Sequence, residues 1–289
     1  MTRIAVLTPD PADLSYASQW PGVRDRLAAA LAQEGIEAVA TPWTDHVTGT
    51  ADLAGFPLIL PMIVWGYHRD HRRWLQACAT WRAAGLPLAN PASVLTWNSD
   101  KTYLARLAER GVPMPETLWS DGVTVDTVAA AFASTGADQL VVKPTVSGGA
   151  WRTLRLSPGQ PIGEAPEGSA MIQPYLPTIE TVGETSLLFF GGVFSHAVNK
   201  RPVGGEFRIQ VQFGGLYTPV ADPPAGAMAL AQQVLAAIDE PLLYARIDMV
   251  PDADGKWLLM EAELIEPDLY LDNDPARGVG LARAVRARL

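Results

Sequence analysis

Apolar residues fall into short runs and helical stripes that alternate along the first third of the chain. Residues 4–7 form an aliphatic run closed by Pro9, the pattern of a buried strand. Apolar positions recur at helical spacing over 23–33 and stop at Gly35. Residues 36–40 are strand-like, 57–62 form another apolar run, and 70–84 predict a helix ending at Gly85. Strands alternating with helices in this way predict a parallel, open α/β unit over residues 1–95.

Beyond it the pattern changes. Residues 97–111 predict a helix opened by Asn98 or Ser99 and stopped by Gly111. The proline-rich stretch GVPMPETLW then connects to residues 124–176, which hold a helix, a strand at 139–142, a glycine-rich loop and more strands. Segments 185–190 and 193–198, split by Gly191-Gly192, predict a hairpin. A helix over 227–238, strands over 244–250 and 257–265, and a closing helix over 275–289 complete the chain. No internal repeat or low-complexity tract is present.

Composition narrows the function. The 289 residues carry 22 Lys and Arg against 31 Asp and Glu, a net charge of -9. A general nucleic-acid binder needs a surplus of cations along its surface, so that class is excluded, whereas a small anion in a local basic pocket is not. The single cysteine, Cys78, excludes a disulfide framework and fits a packed residue in a reducing, cytoplasmic compartment. The opening MTRIAVLTPD has too short an apolar run for a secretory signal, and no stretch of about 18 apolar residues exists to span a membrane.

The densest chemistry lies near the C-terminus, where YARIDMV and WLLMEAELI flank PDADGK. Asp254-Gly255 is the signature of a two-residue turn with positive φ at both central positions. A turn centred there sets Asp248 opposite Glu261 and Arg246 opposite Glu263. Side chains alternate along strands, so these four share one face, while Ala245, Ile247, Met249, Met260, Ala262 and Leu264 form an apolar one. Like charges directly opposite each other in a sheet repel. Three acids with one arginine therefore call either for further ordinary ion pairs or for a hard divalent cation such as Mg²⁺, which favours one or two carboxylates plus phosphate oxygens.

Lysines are scarce, four in all, and two stand at informative places. Lys143 closes the apolar strand QLVVKP just before VSGGAW, where Ser147, Gly148 and Gly149 would let backbone amides approach a phosphate. Lys101 opens the segment NSDKTYL. There is no GxxxxGK[ST] loop and no GxGxxG between a strand and a helix, so neither a P-loop nor a Rossmann dinucleotide site is expected.

A lysine, a second lysine about 40 residues later, a glycine loop, then Asp and Glu-x-Glu on paired strands: this order resembles the ATP-grasp superfamily over residues 95–270. The resemblance implies an α/β and α+β ATP-grasp fold with an N-terminal Rossmann-like (pre-ATP-grasp) domain at 1–97. A small lid subdomain with its linking helix follows at 98–175, and a C-terminal subdomain with the metal site at 176–289. It implies ATP bound by Lys101 and Lys143, with Ser147, Gly148 and Gly149 closing over the phosphates. MIQPYLP resembles the hinge that holds adenine, which points to Gln173, Tyr175 and Leu176. The ribose acid is Glu184 in GETSLLFFGG or its competitor Glu180. Asp248, Glu261 and Glu263, spaced by 13 and 2 as in D-alanine–D-alanine-type ligases, become ligands of one or two Mg²⁺ ions. Glu263 departs from the Asn common at that position.

NKRPVGGEFRIQVQFGG resembles a segment of prokaryotic glutathione synthetase, and implies that Arg208 contacts the transferred phosphate and carboxylate, with Lys200 or Arg201 as helpers. Ser186 stands where that enzyme has a substrate arginine, which argues against a glutathione-like substrate. Ends of parallel strands line ligand sites in open α/β sheets, so Ser15 and Tyr16 after the first strand, and Tyr67 and His68 after the third, are expected to face the second substrate. His68 serves either as a base or as an ion-paired surface residue. Asp268 either receives a substrate ammonium or caps its loop.

The whole is similar to small actinobacterial ligases. It implies an ATP-dependent carbon–nitrogen ligase that activates a small amino-acid carboxylate as an acyl phosphate. The cyclisation of O-ureido-D-serine to D-cycloserine, for antibiotic biosynthesis, is the expected reaction. An intermolecular carboxylate–amine ligase and a non-catalytic ATP-binding regulator are the alternatives. The expected partner is a small amino-acid-like molecule, without nucleic acid or membrane, and a homodimer stays open.

Overall fold

The computed structural model describes residues 1–204 and 206–289. The described residues form three sheets. The first is parallel, in the order β2-β1-β3, from β1 (Thr2–Thr8), β2 (Ile36–Pro42) and β3 (Ile59–Leu60). Helices α1 (Trp20–Ala32), α2 (His71–Ala83) and α3 (Ala92–Trp97) accompany it. Residues Ile4 to Leu7 are fully buried, because both faces of β1 are covered.

A four-stranded antiparallel sheet follows, in the order β4-β7-β5-β6, from β4 (Leu118–Ser120), β5 (Leu140–Pro144), β6 (Leu154–Leu156) and β7 (Ala170–Pro174). Between α3 and this sheet lies the short helix α4 (Tyr103–Glu109), and α5 (Val125–Thr135) packs behind it. The start of α5 is fixed by a reciprocal cap between Thr124 and Thr127. The small core here holds Val128, Ala131, Leu140, Val142, Leu156 and Ile172.

The largest sheet has the order β10-β9-β8-β11-β12 and is antiparallel throughout. Its strands are β8 (Glu184–Phe190), β9 (Val193–Arg201), β10 (Leu216–Val220), β11 (Tyr244–Pro251) and β12 (Trp257–Glu263), with helices α6 (Thr178–Thr181), α7 (Ala225–Ala236) and α8 (Val279–Arg286) around them. Ala245, Ile247 and Met249 of β11 pack with Ala227, Leu230, Ala231 and Val234 of α7, so Arg246 and Asp248 must point the other way. On the far side α8 packs on α1, and Leu281 and Val285 join Leu27, Leu31, Ile4 and Phe190 in one core that unites the first and third sheets. Asn90, at φ 57, stitches the same two parts together. Its Nδ2 donates to the carbonyls of Tyr244 and Leu264, and its Oδ1 accepts from the Leu243 amide.

Three expectations need correction. The helix expected over 97–111 is broken, for α3 ends at Trp97 and α4 begins only at Tyr103. The intervening Asn98 spends its side chain on β12, donating to Ala262 O at 2.8 Å and accepting from Leu264 N at 3.0 Å. Lys101 therefore sits in a turn, its amide bonded to Thr145 O at 2.7 Å.

The second correction concerns the β11–β12 connection, which is a three-residue loop over 253–255 closed by the Asp252–Lys256 pair, with only Gly255 at positive φ (81°). That would shift the register by one, but a bulge between Asp248 and Met249 shifts it back, so Asp248 still faces Glu261 and Arg246 faces Glu263. The extra residue is Met260, which leaves the apolar face and lines the cavity. Third, the closing helix starts at Val279, after Gly278, and not at Pro275.

Candidate active site

A cavity of about 390 Å³ opens where the three sheets meet. The N-terminal unit contributes Tyr16 from the turn after β1, and Tyr67 and His68 from the turn after β3. The middle sheet contributes Lys143 at the end of β5 and Gln173 on β7, followed by Tyr175 and Leu176. The third sheet contributes Glu184 and Lys200 from β8 and β9, Arg246 and Asp248 from β11, and Glu261 and Glu263 from β12.

The acids and cations form a connected network. Lys200 is buried at 3% exposure, with Nζ 2.5 Å from Glu184 Oε1 and 3.3 Å from Asp248 Oδ2. Burial works against its charge, but Asp248 and Glu184 outweigh it and hold the ammonium well above its ordinary pKa. Asp248 also takes Arg246 Nη2 at 2.9 Å and the Ser186 hydroxyl at 2.6 Å. Burial raises its carboxyl, yet Arg246 and then Lys200 prevail and hold it at about 2. Ser186 thus serves to orient Asp248.

Glu263 pairs with the same Arg246, but burial dominates and its carboxyl is pushed up to about 7. Glu261 lies 3.6 Å from Lys101 Nζ, and Lys101 with Lys143 overcomes burial to lower its pKa. Arg246 sits between Asp248 and Glu263. Accordingly, no group of three His, Cys, Asp or Glu among the described residues forms a ready-made metal cage. What fits instead is a hard cation that brings its own phosphate oxygens to the facing carboxylates of β11 and β12.

On the opposite wall, Gln173 Nε2 donates to Thr117 Oγ1 at 2.8 Å, which fixes the amide so that Oε1 remains buried without a partner. An orphaned acceptor in a cavity calls for a ligand donor, and the exocyclic amine of adenine supplies one. The phosphate end fits as well. Lys101 Nζ lies 3.3 Å from the Ser147 carbonyl, so this lysine, Lys143 and the 147–150 loop converge.

That loop is also touched from the other side. A Cβ on Gly148 would stand 3.1 Å from the His68 ring, and Gln212 Nε2 reaches Gly149 O at 3.5 Å. His68 is held neutral, its pKa lowered to about 4 by burial first and by Arg69 and Lys101 after it. Arg208 lines the cavity with its guanidinium bound to Glu206 at 2.7 and 3.0 Å.

Three expected residues lie outside. Arg201 follows Lys200 on β9, and alternation turns it outward to Val182 O and Asn199. The exposed Ser15 accepts from Arg69 at the rim. Glu180 is exposed on α6 and binds Tyr175 OH and Arg155, which leaves Glu184 as the acid that lines the cavity. Asp268 lines it too, while its carboxylate accepts from the Tyr270 amide at 2.9 Å, the loop-capping alternative. Glu266 was not anticipated. It lies three residues past Glu263, beyond the end of β12, so the alternation that marks Glu261 and Glu263 carries no signal for it.

Two lysines and the carboxylates of an antiparallel hairpin around one cavity, under a separate four-stranded sheet, define an ATP-grasp ligase, an enzyme that uses ATP to form a carbon–nitrogen bond. The fold matches D-alanine–D-alanine ligase from Bacillus anthracis with a TM-score of 0.71 at 14% identity, covering 100% of this chain and 99% of that one. Residues 4–90 match the family model for the N-terminal domain of D-cycloserine synthetase DcsG. The cycloserine biosynthesis protein DcsG of Streptomyces lavendulae is 32% identical over 282 residues, covering 91% of this chain and 92% of that protein. The crystal structure of D-cycloserine synthetase DcsG superposes with a TM-score of 0.80 at 28% identity over 99% of both chains. The chain belongs to the DcsG family.

Proposed function

We propose that the enzyme cyclises O-ureido-D-serine to D-cycloserine, with ATP and one or two Mg²⁺ ions. The observation that carries this reading is the convergence of Lys101, Lys143 and the β11–β12 carboxylates on one cavity, in a chain a third identical to a cycloserine biosynthesis protein. In it, Gln173, Tyr175 and Leu176 take the adenine, Glu184 the ribose, and Lys101 and Lys143 the phosphates. Asp248, Glu261 and Glu263 would hold Mg²⁺, which would neutralise phosphate charge.

The substrate carboxylate attacks the γ-phosphorus and ADP leaves, giving an acyl phosphate. Arg208, released from Glu206, binds the transferred phosphate with the bidentate geometry that guanidinium favours, while Lys200 holds Glu184 and Asp248 in place. The ureido nitrogen bonded to oxygen then attacks the acyl carbon, and phosphate departs with the proton that this nitrogen gives up; hydrolysis of the carbamoyl group left on the ring nitrogen releases carbon dioxide and ammonia and gives D-cycloserine. Tyr16, Tyr67 and His68 form the substrate wall, and His68 pressed against Gly148 helps the 147–150 loop shut out water. Because nucleophile and electrophile belong to one molecule, holding a near-attack conformation supplies much of the rate. A cytoplasmic location follows from the use of ATP.

The test is ADP release by the purified protein with O-ureido-D-serine and Mg-ATP, and no added amine. Ring product in step with ADP is expected. Turnover only with a second amine would establish an intermolecular ligase instead. ATP binding without ADP release on any amino acid would establish a regulator.

A further inference from the structure

Six carboxylates face the cavity: Glu184, Asp248, Glu261, Glu263, Glu266 and Asp268. Lys200 sits with Glu184 and Asp248, Arg246 with Asp248 and Glu263, and Lys101 with Glu261. Asp268 is engaged with a backbone amide. Among the described residues Glu266 has no ion pair and no hydrogen bond to another residue. The cations whose fields reach it, Lys101 and Arg246, already belong to Glu261 and to Asp248 and Glu263. A half-buried carboxylate without a counter-ion is unfavourable unless a ligand brings one.

The surroundings say what kind. Glu266 lines the same cavity as Tyr16 and Tyr67 of the N-terminal wall, and its field reaches both hydroxyls. The Tyr16 ring stands 5.7 Å from that of Trp65, and both line the cavity. A divalent metal needs several hard oxygens, and among the described residues no second free carboxylate stands here. An ammonium needs one carboxylate, hydroxyl acceptors and aromatic faces, and all three are present.

We propose that Glu266 receives the α-ammonium of the amino acid whose carboxylate is activated, and thereby makes the enzyme select an amino acid over the corresponding acid without the amine. This assignment rests on the function proposed above. It places the ammonium anchor on the wall of Tyr16 and Tyr67, across the cavity from Gln173.

The experiment compares O-ureido-D-serine with 3-(ureidooxy)propanoic acid, which lacks the amine. Both are measured with the wild-type enzyme and with Glu266→Gln, by kcat/KM from ADP release and by calorimetric binding. Loss of one partner from a buried charge pair predicts a wild-type preference for the amino acid on the order of 100-fold. In Glu266→Gln the preference should fall to about one, with the ATP and Mg²⁺ dependence unchanged. Glu266→Asp, which keeps the charge, should retain part of the preference, and Asp268→Asn all of it. An unchanged preference in Glu266→Gln would overturn the assignment alone. A shifted Mg²⁺ dependence with the preference intact would make Glu266 a metal ligand instead. Absence of wild-type binding and turnover with O-ureido-D-serine would overturn the substrate reading and this assignment with it.

Discussion

The carboxyl of Glu266 is pushed up to about 8, first by burial and then by the charge of Glu263, with Lys101 opposing. An unfolded glutamate titrates near 4.3. Between pH of about 4.5 and 8 the native protein therefore holds a proton that the unfolded chain has released. Stability from this residue is greatest at the acid end of that window and declines as the pH rises through it. Glu266→Gln cannot titrate and has nearly the same volume. Its melting temperature should match the wild type near pH 5 and exceed it near pH 8. Melting curves at the two pH values check this, and an equal offset at both would show that Glu266 is not the source. An arriving ammonium would relieve the same crowding of acids, and Glu266 would give up its proton on binding it.

Among the elements, β8 and β9 deliver Glu184 and Lys200 into contact, and their register begins at Gly183. That residue has φ +90, and a Cβ there would stand 2.6 Å from Asn199 Oδ1 and 2.8 Å from the Lys200 carbonyl. Gly183→Ala combines a left-handed backbone with a collision against the partner strand. The expected destabilisation is about 2 kcal/mol, with a raised KM for ATP because Glu184 is the next residue. A denaturant midpoint indistinguishable from the wild type would refute the register argument.

Elements carried by periodicity were legible: the buried β1, the β8–β9 hairpin and the alternating faces of β11 and β12 follow from the pattern alone. The site was legible where lysines and acids stand on strands, as with Lys143, Asp248 and Glu261. What was not legible depends on loops and tertiary contacts. The 97–111 stripe has helical spacing, yet Asn98 leaves the helix to bridge β12, a bond no local pattern announces. The turn at 253–255 and the Met260 bulge are each unmarked, and their shifts cancel, so the pairing of Asp248 with Glu261 survived a wrong turn type. Arg201 was misplaced because chemistry outweighed alternation in reading NKRP, and the isolated Glu266 had no periodic neighbour to mark it.

At the scale of the whole molecule, the three sheets are unequally tied. The first and third share one core through α1 and α8, and Asn90 and Asn98 bind the backbone of the β11–β12 hairpin from the N-terminal side. The middle sheet has a small core of its own beneath α5, and among the described residues of its strands only Met171 reaches into the buried core of the third. Yet this loosely tied sheet carries Lys143, Gln173 and the 147–150 loop, half of the proposed nucleotide site. Cooperative units with few buried apolar contacts open at lower free energy than the global transition. Amides of β5 and β7 should accordingly exchange faster than those of β8 and β11, which are buried along their whole length.

A ligand that bridges the two parts stabilises the closed arrangement by mass action. A non-hydrolysable ATP analogue with Mg²⁺ should therefore slow exchange in β5, β7 and the 147–150 loop far more than in β8 and β11. Hydrogen exchange with and without the analogue reads both effects. Protection of β5 and β7 equal to that of β8 in the free enzyme would mean that the three sheets move as one body. The closing of the cavity over ATP would then have to come from the 147–150 loop alone.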